Sequence, residues 1–399
     1  MAFRDIVGQD TAINILLRTI QRGRLASSYL FAGESGIGKK FTAINLAKAV
    51  NCLKNTPSLT LPLQGGGMGG GDSKLQTPNS NPSLPPFSKG GLEGIINSEL
   101  NQFDACDECT SCKKIDTGVH PDFLLISPES GQIRIDEIRA IDDVLSLKAF
   151  EGRKKIVIAD DADTMNPYAA NAFLKTLEEP PEDSLIILIT SNPDRLPDTI
   201  RSRCSRVNFT PLSYAACRKV IETAIMKRSA ANLQKKSRSA KNSPSPMLSD
   251  SRLSLLVRLS MGRPGLAIEE DLIEERAWSL KLLKGMLSSG KDGWTSKEEM
   301  ENWFNLILIL LRDMAIIKIT EDETNLINVD LKDYLKKVSS SIDLKVIIEN
   351  YQKLNILRGY FNFNLNKSLT WNYTGSILRK LKIDSEYPAA ETAGRHGQF

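Results

Sequence analysis

The stretch Gly33-Glu34-Ser35-Gly36-Ile37-Gly38-Lys39-Lys40 decides how this chain is read. A phosphate-binding loop asks for Gly, four free positions, Gly, Lys, then Ser or Thr. Gly33, Gly38 and Lys39 satisfy that pattern, with Gly36 between them, but the last place holds Lys40. The glycines let backbone N–H groups curl around phosphate oxygens, and the lysine reaches the outer phosphates. The Ser/Thr hydroxyl normally ligates the magnesium that travels with the nucleotide. A lysine ammonium has no lone pair to offer and repels the ion. The motif is that of a nucleotide site lacking one metal ligand.

Working outward, Tyr29-Leu30-Phe31-Ala32 reads as a buried strand entering the glycines. After them Phe41, Ala43, Ile44, Leu46, Ala47 and Val50 fall at helical spacing. Strand, Gly-rich loop and helix in that order aim a helix N-terminus at an anion. A Gly-rich turn that binds nothing is the alternative. Lys155-Ile156-Val157-Ile158-Ala159 is a second apolar strand, ending in Asp160-Asp161-Ala162-Asp163. Asp160 takes the place of the metal-binding acid of such sites. Asp161 stands where a glutamate would polarise the attacking water. Its shorter side chain falls short by about 1 Å, and a misplacement of that size costs ~100-fold in rate. A solvated acidic turn is the alternative here. A third strand runs through Leu185 to Thr190-Ser191-Asn192, and Thr199-Ile200-Arg201-Ser202-Arg203-Cys204 follows. Alternating strands and helices from Ser28 to Phe209 predict an α/β domain, a parallel sheet with helices on both faces.

The 399 residues suffice for two or three domains, and 41% hydrophobic with 25% charged residues is ordinary globular composition. A formal charge of +4 is too small to argue for nucleic acid. No apolar segment follows Met1, and the longest greasy run, Leu306 to Leu311, is far short of a bilayer span. No membrane association and a cytoplasmic location are expected. Of six cysteines, three lie in Cys106-Asp107-Glu108-Cys109-Thr110-Ser111-Cys112, and Cys52 waits upstream at the end of the helix after the loop. Two interlocked C-x-x-C steps with Cys52 as fourth ligand suit a tetrahedral structural zinc. Reduced free thiols in a loop are the alternative. Four sulfur ligands leave no position for substrate.

Two segments break the pattern. Residues 54–103, with a seven-residue Gly-rich run and Pro82 to Pro86, are expected to be a disordered insertion. The Ser/Lys/Asn-rich stretch about 229–250 is basic; it reads as a solvated loop, with DNA backbone contact as the other reading.

The run Asn171-Ala172-Phe173-Leu174-Lys175-Thr176-Leu177-Glu178-Glu179-Pro180-Pro181, followed by Ser202-Arg203-Cys204, resembles the bacterial clamp-loader group of AAA+ proteins. Val119-His120-Pro121-Asp122-Phe123, Ile133–Arg139 and Leu145–Lys148 are similar to its subunit type with an impaired nucleotide site, not to the gamma/tau type, which keeps a full loop and a glutamate after the strand-end Asp. The resemblance implies an AAA+ base (1–211), a small helical lid (212–272), an all-α collar (273–385) that holds a hetero-pentamer together, and a tail (386–399). It implies gamma/tau and delta subunits as partners, with sliding clamp and primed DNA reached through the complex. It implies Arg203 as an arginine finger offered in trans; the alternative gives Arg203 a structural salt bridge, with Arg201 and Arg206 nearby as decoys. Arg263, in Gly262-Arg263-Pro264, is similar to a γ-phosphate sensor. ATP with magnesium is an open occupant, little or no ATPase of the chain's own is expected, and polymerase activity would belong to the holoenzyme. Two other readings stay open: an active ATPase of the gamma/tau type, and a metal-dependent nucleic-acid-binding module built on the cysteine cluster.

Overall fold

The computed structural model describes residues 2–54, 103–128, 131–236, 249–288, 293–320, 324–363 and 365–379. Most of the 54–103 insertion, the centre of the basic 229–250 stretch and the whole 386–399 tail lie outside the described residues. The chain divides into two compact units: Met1–Gly33 with Lys39–Phe209, and Glu34–Gly38 with Thr210–Phe399. The expected lid and collar segments thus fall within one unit.

In the first unit the order is α1 (Asp10–Gln21), β1 (Ser28–Ala32), α2 (Lys39–Asn51), α3 (Thr110–Asp116), β2 (Phe123–Ile126), α4 (Ile135–Ser146), β3 (Lys155–Ala159), α5 (Pro167–Glu178), β4 (Ser184–Thr190), α6 (Asp198–Arg201) and β5 (Ser205–Asn208). The strands form one sheet in the order β2-β3-β4-β1-β5. Every pairing is parallel, with Leu30 opposite both Leu188 and Arg206, and Ile187 opposite Ile158. Strands β1, β3 and β4 are buried throughout, which explains why they read as unbroken apolar runs rather than alternating ones. Side chains nonetheless alternate between faces. Leu30, Val157, Ile186 and Leu188 pack with Ile138, Ile141 and Phe173 of α4 and α5. Tyr29 and Phe31 point the other way, where Phe31 meets Phe209 at 5.1 Å. The predicted parallel sheet with helices on both faces is present.

Local signals set the helix starts. Asn166 caps α5 by accepting from the Ala169 N–H, and Pro167 at the first position lacks only a donor that would have had no partner. At α3 the cap is the Cys109 thiol, which accepts from the Cys112 N–H.

The second unit is helical, with α7 (Tyr214–Lys236), α8 (Asp250–Leu259), α9 (Pro264–Glu269), α10 (Leu272–Leu287), α11 (Lys297–Thr320), α12 (Lys332–Ser340), α13 (Leu344–Gly359) and α14 (Lys367–Arg379). Helices α10, α11 and α13 carry Trp278, Trp303 and Val346 in turn. They bury an aromatic cluster in which Trp294 sits 4.9 Å from Trp371 and 5.3 Å from Trp303, edge to face. The Trp303 indole N–H reaches the Ser279 carbonyl at 3.1 Å, so its polar atom is satisfied inside the core. Among the described residues no helix is long and apolar enough to cross a membrane.

Candidate functional site

Lys39 and Lys40 open α2 and part company at once. Lys39 is buried, and its ammonium donates to the Gly33 carbonyl at 2.6 Å. Lys40 turns to the strand ends, 3.1 Å from the Asp160 carboxylate and 3.3 Å from the Ser127 hydroxyl. A cation therefore stands against the strand-end acid Asp160. Asp161 has left-handed backbone geometry (φ 48°), unusual for a residue with a side chain. Burial, followed by repulsion from Asp160 and Asp163, pushes its carboxyl above the ordinary range. At the end of β4, Thr190 donates its hydroxyl to Asp163 at 2.7 Å, so the polar terminus of that strand is tied down within the protein.

Arg203 lies just beyond α6. Its guanidinium donates to the Thr199 carbonyl at 2.7 Å and to the Glu178 carboxylate at 2.5 Å, the structural salt bridge weighed against the finger. Arg201 pairs with Asp194 and Asp198, and Arg206 with the Asn208 side chain.

Gly33, Lys39, Lys40, Asp160 and Asp161 belong to the first unit; Gly36, Gly38 and Arg263 belong to the second. Within the second, Gly265 donates its N–H to the Gly36 carbonyl at 2.8 Å. A Cβ on Gly265 would come within 2.7 Å of Gly36 Cα, and one on Gly36 within 3.0 Å of the Leu266 nitrogen, so a side chain is crowded on either side of the crossing. Gly36 also needs φ 76°, a second reason for glycine there. Arg263 stands 3.5 Å from Glu34.

The four sulfurs of Cys52, Cys106, Cys109 and Cys112 lie within 4.8 Å of one another. Four Zn–S bonds of about 2.3 Å would hold tetrahedral sulfurs ~3.8 Å apart, so the cluster needs only a small contraction to close on a metal. All four are free thiols, Cys52 and Cys112 buried. Burial works to raise the Cys109 thiol, but N–H donors from Cys112 and Leu53 outweigh it and bring it down to about 7. Burial and the Cys109 neighbour push Cys112 up. The donor set and spacing fit a metal ion.

Several buried polar groups around the cluster escaped the sequence reading. Lys48 on α2 is wholly buried, with its ammonium 3.0 Å from Asp116 and paired with Asp107. Burial works to lower its pKa, but those carboxylates outweigh it and hold it raised. His120 Nδ1 accepts from the Asp122 N–H, so neutral His120 carries its proton on Nε2, 3.1 Å from Ser111 Oγ. Ser111 in turn donates to the Asn51 carbonyl at 2.8 Å. The Asp122 carboxylate accepts the N–H groups of Phe150, Glu151 and Gly152 at 2.7–2.8 Å. Burial opposes its charge, but those donors keep its pKa below the usual carboxylate range. The only advance signal was the His120-Pro121-Asp122 string, which did not say what either side chain would hold.

A family described as "DNA polymerase III, delta subunit" matches residues 8–61 and 92–213. The DNA polymerase III subunit delta' of Pseudomonas aeruginosa is 31% identical over 245 residues, 58% of this chain and 68% of that one. This chain belongs to the delta-prime family. A second delta' relative, from Bacillus subtilis, is 33% identical over 208 residues, so the match spans 52% of this chain and 49% of the relative's length. Subunit tau of Bacillus subtilis is 31% identical over 214 residues, 54% of this chain and 30% of its own. A solved gamma-subunit-related protein of Thermotoga maritima is 22% identical with a TM-score of 0.32, covering 67% of this chain and 88% of that one. The family match, ending at residue 213, lies chiefly in the sheet unit and its cysteine module.

Proposed function

We propose that this delta-prime-family chain is a clamp-loader subunit that helps place a sliding clamp on primed DNA, and that it acts as a stator. The observation that carries the reading is the ion pair between Lys40 and Asp160 at 3.1 Å. A cation fixed against the metal-binding acid disfavours Mg²⁺, and Asp161 lacks the reach of a catalytic glutamate, so the chain's own site has two separate losses. Arg203 is then the group with chemistry to offer. A planar guanidinium suits a γ-phosphate bound in an adjacent subunit, where such fingers contribute ~10³–10⁵ in rate.

In this reading the partners are gamma/tau and delta subunits in a hetero-pentamer, in the cytoplasm, and the cysteine cluster holds a structural Zn²⁺. Residues 1–211, 212–272 and 273–385 serve as base, lid and collar. Ile348, Tyr351, Ile356 and Tyr360 leave exposed apolar area along and just beyond α13, which supports a collar that buries it against other subunits. The test is a reconstituted complex carrying Arg203→Ala. Intact assembly with DNA-stimulated ATPase reduced at least 10-fold is expected, on the scale of a lost finger; unchanged turnover rules the finger out.

A further inference from the structure

We infer that Glu178 is a positioning residue that holds Arg203 in a parked state until an adjacent subunit's nucleotide competes for it. The inference rests on the finger reading above and concerns what restrains it. Arg203 is not loose: one terminal nitrogen donates to the Thr199 carbonyl at 2.7 Å and the other to Glu178 at 2.5 Å. The two partners use the paired terminal N–H groups that bidentate phosphate recognition also needs. The parked contacts occupy one N–H on each terminal nitrogen, so an end-on grip on phosphate competes with them.

The setting makes the restraint releasable. The Glu178 side chain is 49% exposed and that of Arg203 32%, so water screens the pair and keeps it weak. A buried pair at the same distance would cost too much to break. Phosphate, with more charge than one carboxylate, outcompetes Glu178 once it is brought close. The two ends are built on different elements: Glu178 is the last residue of α5, and Thr199 lies in α6. Small shifts between those helices would loosen one contact before the other, giving the latch a mechanical input as well as an electrostatic one.

The test uses the reconstituted complex with this subunit as wild type, Glu178→Gln, Glu178→Asp, Arg203→Ala and the double variant Glu178→Gln/Arg203→Ala. Expected is a two- to five-fold rise in the clamp- and DNA-independent kcat with Glu178→Gln, at unchanged KM for ATP. The rise should be absent in the double variant and smaller with Glu178→Asp, which keeps the charge. A basal kcat unmoved by Glu178→Gln, while Arg203→Ala still abolishes stimulation, overturns the latch and leaves the finger standing. A rise that persists in the double variant also overturns it, because the effect then bypasses Arg203. If Arg203→Ala itself changes nothing, the finger reading fails first and the latch goes with it.

Discussion

The Lys40 ammonium lies 3.1 Å from the Asp160 carboxylate, so a side chain of α2 holds a positive charge where this kind of site ordinarily recruits one from solution. The Lys40 side chain is 45% exposed, which keeps the pair's own worth below ~1 kcal/mol. In the function proposed above its role is exclusion rather than stability. Calorimetry on the isolated chain should show no gain in ATP affinity on adding magnesium. Lys40→Thr should restore a gain of about ten-fold, the scale of one metal-orienting contact. It should not restore hydrolysis, because Asp161 remains; a variant that turns over ATP briskly would show that Lys40 was the sole block.

The cysteine cluster should bind one zinc per chain, read by metal analysis of the purified protein. Cys112→Ser should weaken zinc by more than the ~10–100-fold that loss of an outer-shell partner costs, and lower the melting temperature. Uptake should be pH-dependent. Thiols must lose protons to bind, and with Cys109 at about 7 in the metal-free cluster, affinity should fall progressively below neutral pH.

His120 gives stability a separate acid dependence. Burial holds its folded pKa below the ordinary 6.5, since the charged form would lose solvent and Nδ1 could no longer accept from Asp122. Below pH 6.5 the unfolded chain takes up a proton that the native chain refuses. Stability therefore declines as pH falls through that value, at no more than ~1.4 kcal/mol per pH unit, and levels off below the folded pKa. Urea titrations between pH 7.5 and 5 should show the slope in metal-loaded protein, and His120→Gln should flatten it.

Gly265→Ala should destabilise the second unit by about 1–3 kcal/mol, the cost of forcing a methyl into packed space. Thermal unfolding checks this, and Gly285→Ala, where an added Cβ meets nothing within 4 Å, is the control expected to be neutral or stabilising.

The sheet was legible because β1, β3 and β4 are local apolar runs bounded by turn residues, and the cysteine cluster because ligand spacing is itself a local pattern. The buried polar contacts were not legible. Nothing in the sequence singled out Lys48; it is buried because Asp107 and Asp116, more than fifty residues on, come to meet it. The three amides that the Asp122 carboxylate collects lie 28 to 30 residues away, and no periodicity announces them. Glu178 stood in view within the quoted run, but its partner Arg203 is 25 residues downstream, and the salt bridge weighed for Arg203 came with no partner named.

Helix α2 spans Lys39–Asn51, thirteen residues and roughly 20 Å of nearly incompressible rod. At one end are Lys39 and Lys40; at the other, Asn51 receives the Ser111 hydroxyl, and Cys52 just beyond joins the sulfur cluster. Its middle is clamped on nearly every side, Lys48 included, so it can slide or pivot only as one piece. A change in coordination at the sulfurs would thus arrive at the two lysines as a displacement, undiluted by bending. One continuous helix thus joins the cysteine cluster to the two lysines.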